Sequence, residues 1–188
     1  MEIAYTGNSL ISNVKAANKN YYGLYLYNSS NITVSNSEMN GNFNGFYIQK
    51  SRNTKIISNN VSLNSGTGIH LDLSSHNEIY LNDFINNSPN VVSFRSSNNW
   101  NSSSKITYTY NDNAYTNYLG NYWSDYHIDD TSEDGIGDIP YTINSDKDNY
   151  PLMSAWKNYT SEGKEVPGFE VIFVIVELSI IAYLIRGR

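Results

Sequence analysis

Apolar and polar residues alternate in four short segments, 23–27, 45–49, 68–72 and 91–95, which recur about every 22 to 23 residues. Strict alternation predicts strands with one face inward and the other in water. The inward positions are predicted as Leu24, Phe46, Ile69 and Val92, and two residues on as Leu26, Ile48, Leu71 and Phe94. The outward positions are Tyr25, Tyr47, His70 and Ser93, then Tyr27, Gln49, Asp72 and Arg95. Residues 32–34, 55–57 and 78–81 predict a second strand per repeat, while Met39, Val61 and Phe84 predict a third inward contact. Each inward Leu, Ile or Phe is expected to contribute roughly 1.5 to 3 kcal/mol on burial, so this ladder should dominate stability.

Asn recurs with the same period, at 20, 42, 64 and 87 and again at 31, 53, 77 and 99. A corner repeated once per coil needs a residue that tolerates left-handed backbone angles and bonds its own neighbours, and Asn does both. Helical repeats of this length require a 3.6-residue apolar spacing, and leucine-rich repeats a Leu-x-x-Leu-x-Leu grammar; neither is present. The predicted fold is all-β, a short parallel β-helix over residues 1–99. Ile3, Leu10, Ile11 and Val14 suggest an imperfect first coil. No polar cap and no basic region followed by an apolar run opens the chain, so it is expected to be the C-terminal part of a longer exported rod.

Beyond Asn99 the repeat gives way to a loop at 100–105, a strand at 106–110 and a Tyr-rich stretch holding Tyr115, Tyr118, Tyr122, Trp123 and Tyr126. Residues 100–153 are expected to form a cap in which these aromatics pack on the last coil; a sugar-stacking platform is the rival reading. Oxygen ligands at alternate positions, Asp130, Ser132, Asp134, the Ile136 carbonyl and Asp138, with Gly135 at the bend, match the first part of a calcium loop. A polar linker is expected at 154–166. The apolar run from Phe169 to Ile185 would span about 26 Å as a helix, close to a bilayer core, and the arginines at 186 and 188 would keep its end in the cytoplasm. Glu177 interrupts that run.

Composition narrows the partners. The 188 residues carry a net charge of −6 with 16% charged residues, which argues against a nucleic-acid backbone. Cys is absent, so no disulfide framework or thiolate metal site exists. Asn-x-Ser/Thr sequons at Asn28, Asn31, Asn60, Asn86, Asn101 and Asn158 are compatible with an exported glycoprotein, although a chain rich in Asn and Ser generates such triplets by chance.

The Asn-punctuated coils resemble the NosD-type right-handed β-helix, and residues 100–101, 105–110, 118–126, 134–141 and 148–153 resemble the C-terminal block of its archaeal cell-surface members. Pro167, Gly168 and Phe169, followed by the apolar run and terminal arginines, resemble the PGF-CTERM sorting signal, which implies archaeosortase processing and a lipid anchor. The implied protein sits on the outer face of the membrane, anchored through its C-terminal tail.

Three functions follow as expectations. The first is a non-catalytic structural or adhesive surface module contacting other surface proteins. In the second, Tyr25, Tyr27, Tyr47, Gln49, His70, Asp72 and Arg95 bind polysaccharide; hydrolysis would need two placed carboxylates, and this face offers Asp72 alone. The third, copper-site maturation, follows from the family resemblance, yet His70, His76, His127, Met39 and Met153 lack the tight spacing that soft-ligand copper sites use.

Overall fold

The computed structural model describes residues 1–18 and 21–160. Its first coil comprises β1 (Glu2–Ala4), β2 (Gly7–Ser12) and β3 (Lys15–Ala17). The next three comprise β4 (Tyr22–Tyr27), β5 (Ser30–Ser35) and β6 (Glu38–Asn40); β7 (Asn44–Gln49), β8 (Lys55–Ile57) and β9 (Asn60–Ser62); and β10 (Ile69–Asp72), β11 (Glu78–Tyr80) and β12 (Asp83–Ile85). A fifth coil begins with β13 (Val91–Phe94), leaves the stack through the hairpin β14 (Ile106–Tyr110) and β15 (Asn113–Asn117), and returns as β16 (Tyr122–Trp123). A second hairpin, β17 (Tyr141–Ile143) and β18 (Asp146–Asp148), follows.

Equivalent strands pair in parallel, making three sheets in the orders β1-β4-β7-β10-β13, β2-β5-β8-β11 and β3-β6-β9-β12-β16. The chain is thus an all-β parallel solenoid of about four turns. Leu24, Phe46 and Ile69 are in register and fully buried, as are Leu26, Ile48 and Leu71. Met39, Val61 and Phe84 fill the same core from the third sheet, as the sequence predicted. Gly23 and Gly45, second in their strands, and Gly68, just before β10, stack where the coils approach so closely that a Cβ on Gly45 would lie 2.6 Å from the Gly68 carbonyl oxygen.

Each of the first four coils bends at four corners whose φ lies between 46° and 68°. One column of corners is Tyr5, Asn28, Lys50, Leu73 and Arg95, and the next is Asn8, Asn31, Asn53 and His76. The third is Asn13, Asn36, Ser58 and Leu81, and the last Asn18, Gly41, Leu63 and Asn86. Asn is the commonest occupant because its short amide lowers the cost of left-handed angles.

The residue after a corner turns inward and bonds the coil above. Ser29, Ser51, Ser74 and Ser96 form one such ladder, in which the hydroxyls of Ser51, Ser74 and Ser96 each accept the backbone N–H of the serine one coil earlier at 2.9 to 3.0 Å. Three ladders are made of Asn amides, Asn59 to Asn82 to Asn121, Asn64 to Asn87 to Asn90, and Asn77 to Asn98, with Nδ2 to Oδ1 distances of 2.8 to 3.0 Å. They satisfy buried backbone groups that a turning chain would otherwise leave unpaired.

Three registers differ from the sequence reading. The last corner column falls on Gly41, Leu63 and Asn86, so Asn42, Asn64 and Asn87, read as corners, lie one place further on, where Asn64 and Asn87 serve as ladder amides. Val91, not Val92, pairs with Ile69, so Ser93 is buried and Phe94 stands outward, 52% exposed. Arg95 accordingly occupies the corner after β13 and leaves the outward column. His76 takes the corner position assigned to Asn77, whose amide is buried one place further on.

Trp123 packs between Phe84, 4.6 Å away between ring centres, and Tyr141, stacked 4.4 Å away and nearly parallel. It is fully buried, so it is core and offers no stacking surface. Residues 154–160, expected to begin the polar linker, pack on the cap: Tyr159 is buried against Tyr110 and Trp156, and Trp156 N–H donates to Asp83 Oδ1 at 2.7 Å. Asn20, the rest of the linker, the sorting motif and the apolar run lie outside the described residues. Among the described residues no helix is long and apolar enough to cross a membrane.

Candidate functional site

The outward face of the first sheet gathers most of the residues the alternation selected. Register places Glu2, Tyr25, Tyr47, His70 and Val92 in one column and Ala4, Tyr27, Gln49, Asp72 and Phe94 in a parallel one. Tyr25 and Tyr47 lie 5.3 Å apart between ring centres, and Tyr47 and His70 4.8 Å apart. Beside them runs a hydrogen-bonded file in which the Tyr25 hydroxyl donates to Gln49 Oε1 at 2.8 Å and Gln49 Nε2 donates to Asp72 Oδ2, also at 2.8 Å. Gln49 is thereby fixed between two coils, and Asp72 Oδ1 has no donor among the described residues.

The sequence reading missed four aromatics that extend this surface. Tyr22 sits 4.9 Å from Tyr25 and 5.0 Å from Tyr47, Tyr21 stacks on Phe43 at 5.0 Å, and Tyr5 meets Tyr27 edge-on at 5.4 Å. The signal was the Tyr21-Tyr22 doublet directly before Gly23, which the two-residue alternation does not include. Tyr5, Tyr21 and Phe43 are 72%, 63% and 45% exposed, a cluster of rings the core does not use.

Burial sets the charge state of the strip. It pushes the phenols of Tyr22, Tyr25 and Tyr47 above their ordinary value, and the neighbouring carboxylates of Asp72 and Glu2 add to this. Burial also lowers His70, against a smaller opposing pull from Asp72, so its imidazole is neutral at pH 7. Lys50 lies over the Tyr27 ring at 5.6 Å and the Arg95 guanidinium over Phe94 at 5.0 Å, both at the margin where the coils turn. The strip can therefore stack flat apolar surfaces and exchange hydrogen bonds with hydroxyls.

The acidic turn is arranged differently. Asp130 accepts N–H bonds from Asp134 and Gly135 and an O–H bond from Ser132; Asp134 accepts the N–H of Ile136; Asp138 accepts the N–H and hydroxyl of Thr131. Ile136 is buried and bridges Leu152. Among the described residues no three His, Asp or Glu side chains converge as a metal site would require.

At the C-terminal end each Asn ladder meets an aspartate of the cap. Asn121 donates to Asp148 Oδ2 from its backbone at 2.7 Å and from Nδ2 at 3.3 Å, Asn90 Nδ2 donates to Asp125 Oδ1 at 2.8 Å, and Asn98 N–H donates to Asp146 Oδ2 at 2.9 Å. Asp148, wholly buried, also accepts from Trp123 Nε1 and the Tyr150 N–H. These contacts fix the cap on the last coil, three rungs at once.

A family model described as periplasmic copper-binding protein (NosD) matches residues 2–128. No curated protein and no solved structure matches the chain. The copper in that description finds no fitting donor set in the described residues: His70 faces out from β10, His76 occupies a corner, Met39 is sealed in the core, and Cys is absent from the sequence. No copper step follows from these positions. The match takes in all four full coils, the return strand β16 and the Asn ladders between them, and the chain belongs to the NosD family.

Proposed function

We propose that this protein is a non-catalytic, structural and adhesive β-helix working outside the cytoplasm, held to the membrane by its C-terminal tail, and that it contacts polysaccharide through the outward face of its first sheet. The observation that carries the contact surface is the strip of Tyr22, Tyr25, Tyr47, His70, Gln49 and Asp72, in which rings and hydrogen-bonding groups lie side by side without serving the core. Protein–glycan contacts use this combination, since a sugar ring has apolar faces and hydroxyl edges. The periplasmic family description supports a place outside the cytoplasm. The apolar run from Phe169 to Ile185 supports the anchor. The outward face's two carboxylates, Glu2 and Asp72, stand three coils apart, roughly 14 Å at the spacing of paired strands, which supports binding over hydrolysis by a close pair.

Affinity electrophoresis through gels carrying soluble polysaccharides tests the contact surface. Retardation that disappears in Tyr22→Ala/Tyr47→Ala, with an unchanged melting temperature, is the expected result; equal migration of both proteins in every gel would sink the reading. Fractionation of cells expressing the full chain, with and without residues 167–188, tests the anchor, and removal of the tail is expected to release the protein from membranes. In this reading the acidic turn serves the fold, its carboxylates capping backbone N–H groups. A melting temperature that rises when calcium is added to EDTA-treated protein would give Asp130, Asp134 and Asp138 a metal instead.

A further inference from the structure

We infer that the first-sheet strip selects a neutral, hydroxyl-rich polysaccharide over an acidic one, with the glycan chain lying along the solenoid axis. This rests on the polysaccharide reading above and specifies its ligand class.

The direction follows from the layout. Successive coils place equivalent side chains about 4.8 Å apart, the spacing of paired strands. Tyr25, Tyr47 and His70 therefore form a row of rings running along the axis, flanked by the row of Tyr27, Gln49 and Asp72. A linear glycan laid along the rows meets rings on one side and hydrogen-bonding groups on the other. A chain laid across them would leave the first sheet at the corners, Asn28, Lys50 and Leu73 on one side and the stacked glycines on the other.

The charge preference follows from which groups are free. Gln49 has its oxygen and one amide hydrogen engaged, so it orients its neighbours. Asp72 presents an oxygen with no donor among the described residues, a strong acceptor for two adjacent sugar hydroxyls. His70 is neutral and offers one donor and one acceptor. Among the described residues, Lys50 and Arg95 lie at the margin of the face over aromatic rings. A uronate would bring its carboxylate to Asp72 with no cation among the described residues in the middle of the strip to offset the repulsion, whereas a neutral sugar meets only groups that it can bond or stack on.

Affinity electrophoresis with a neutral polymer (mannan or a soluble β-glucan) and an acidic one (polygalacturonate), each at low and high salt, tests this directly. Retardation by a neutral polymer, insensitive to salt and weakened about tenfold in Asp72→Ala, is expected. Asp72→Lys is expected to lose that retardation and gain polygalacturonate binding that salt abolishes. Tighter binding of wild type to polygalacturonate, or unchanged neutral binding in Asp72→Ala, overturns the inference and leaves the polysaccharide reading standing. Retardation by neither polymer overturns both. Because Asp72 is half-buried on the sheet surface, both variants should melt close to wild type, which thermal unfolding checks.

Discussion

Asp148 Oδ1 sits where a side chain on Gly120 would be: a Cβ built on Gly120 falls 1.9 Å from it. The absence of that one carbon lets the buried carboxylate reach the Asn121 and Tyr150 N–H groups and the Trp123 indole. Gly120→Ala must eject Asp148 or shift β16. We expect a loss of about 3 kcal/mol, from overpacking and broken hydrogen bonds, read as a lower urea midpoint. A midpoint unchanged from wild type would show that the cap does not depend on this carboxylate.

Acidity should strengthen the fold over a defined window. Burial raises Asp148 and Asp83 from 3.8 to about 6, outweighing the N–H bonds that favour their charged forms. The folded chain therefore holds more protons than the unfolded one, and the stability these groups contribute is fully present below about pH 4 and lost as pH rises through about 6. Each group contributes on the order of 3 kcal/mol across that range. Asp138, held low by hydrogen bonds from Thr131, acts the other way: its contribution is present above its ordinary value of 3.8 and is lost as pH falls from there through its depressed value. Melting temperature is expected to be higher at pH 5 than at pH 7, and Asp148→Asn should reduce the difference by about half.

The interior Asn residues should prove costlier to lose than those at the corners. Asn82 is fully buried, donates to the Ile56 carbonyl and to Asn121, and accepts from Asn59. Asn82→Ala strands these partners and should cost about 4 kcal/mol. Asn36→Ala at an exposed corner, φ 49°, should cost about 1 kcal/mol, as left-handed backbone strain alone. Chemical denaturation of both variants compares them, and equal losses would contradict the ladder assignment.

Leu63 is a corner residue with φ 55° and 59% exposure, strained and gaining little from burial. Leu63→Asn is expected to stabilise the chain by about 0.5 to 1 kcal/mol, seen as a rise in melting temperature. Leu71→Asp marks the opposite extreme. It places a carboxylate in a fully buried column and should unfold the solenoid, with loss of the β signal in circular dichroism.

The inward columns were legible because period-two alternation is enforced wherever one face is buried, and the coils repeat it in register from Leu24 to Leu71. The register failed at β13 for a definable reason. Asn90 holds the place of Gly68, so the glycine that marks the earlier strands is missing while two valines offer equally apolar choices. The Asn98-Asn99 doublet hid the corner shift at His76 in the same way. The outward strip was legible where it shares the alternation, as at Tyr25, Tyr47, His70 and Asp72, and illegible at Tyr5, Tyr21 and Phe43, which corners and coil-to-coil stacking bring alongside. The aspartates that terminate the ladders come from segments with no period, and only the folded cap brings them to Asn90, Asn98 and Asn121.

Those three terminated ladders give the rod a growing end and a stopped end. Between Tyr22 and Asn90 the Ser29, Ser51, Ser74 column and the Asn42, Asn64, Asn87 column pass the same hydroxyl and amide from coil to coil, so a duplicated coil spliced there would find those partners already in place. A coil spliced after Asn90 would part the amides from Asp125, Asp146 and Asp148 and leave the carboxylates facing the wrong rung. Lengthening by gene duplication is therefore open upstream of the cap and closed beside it, and the length of such a rod can change while its cap stays the same.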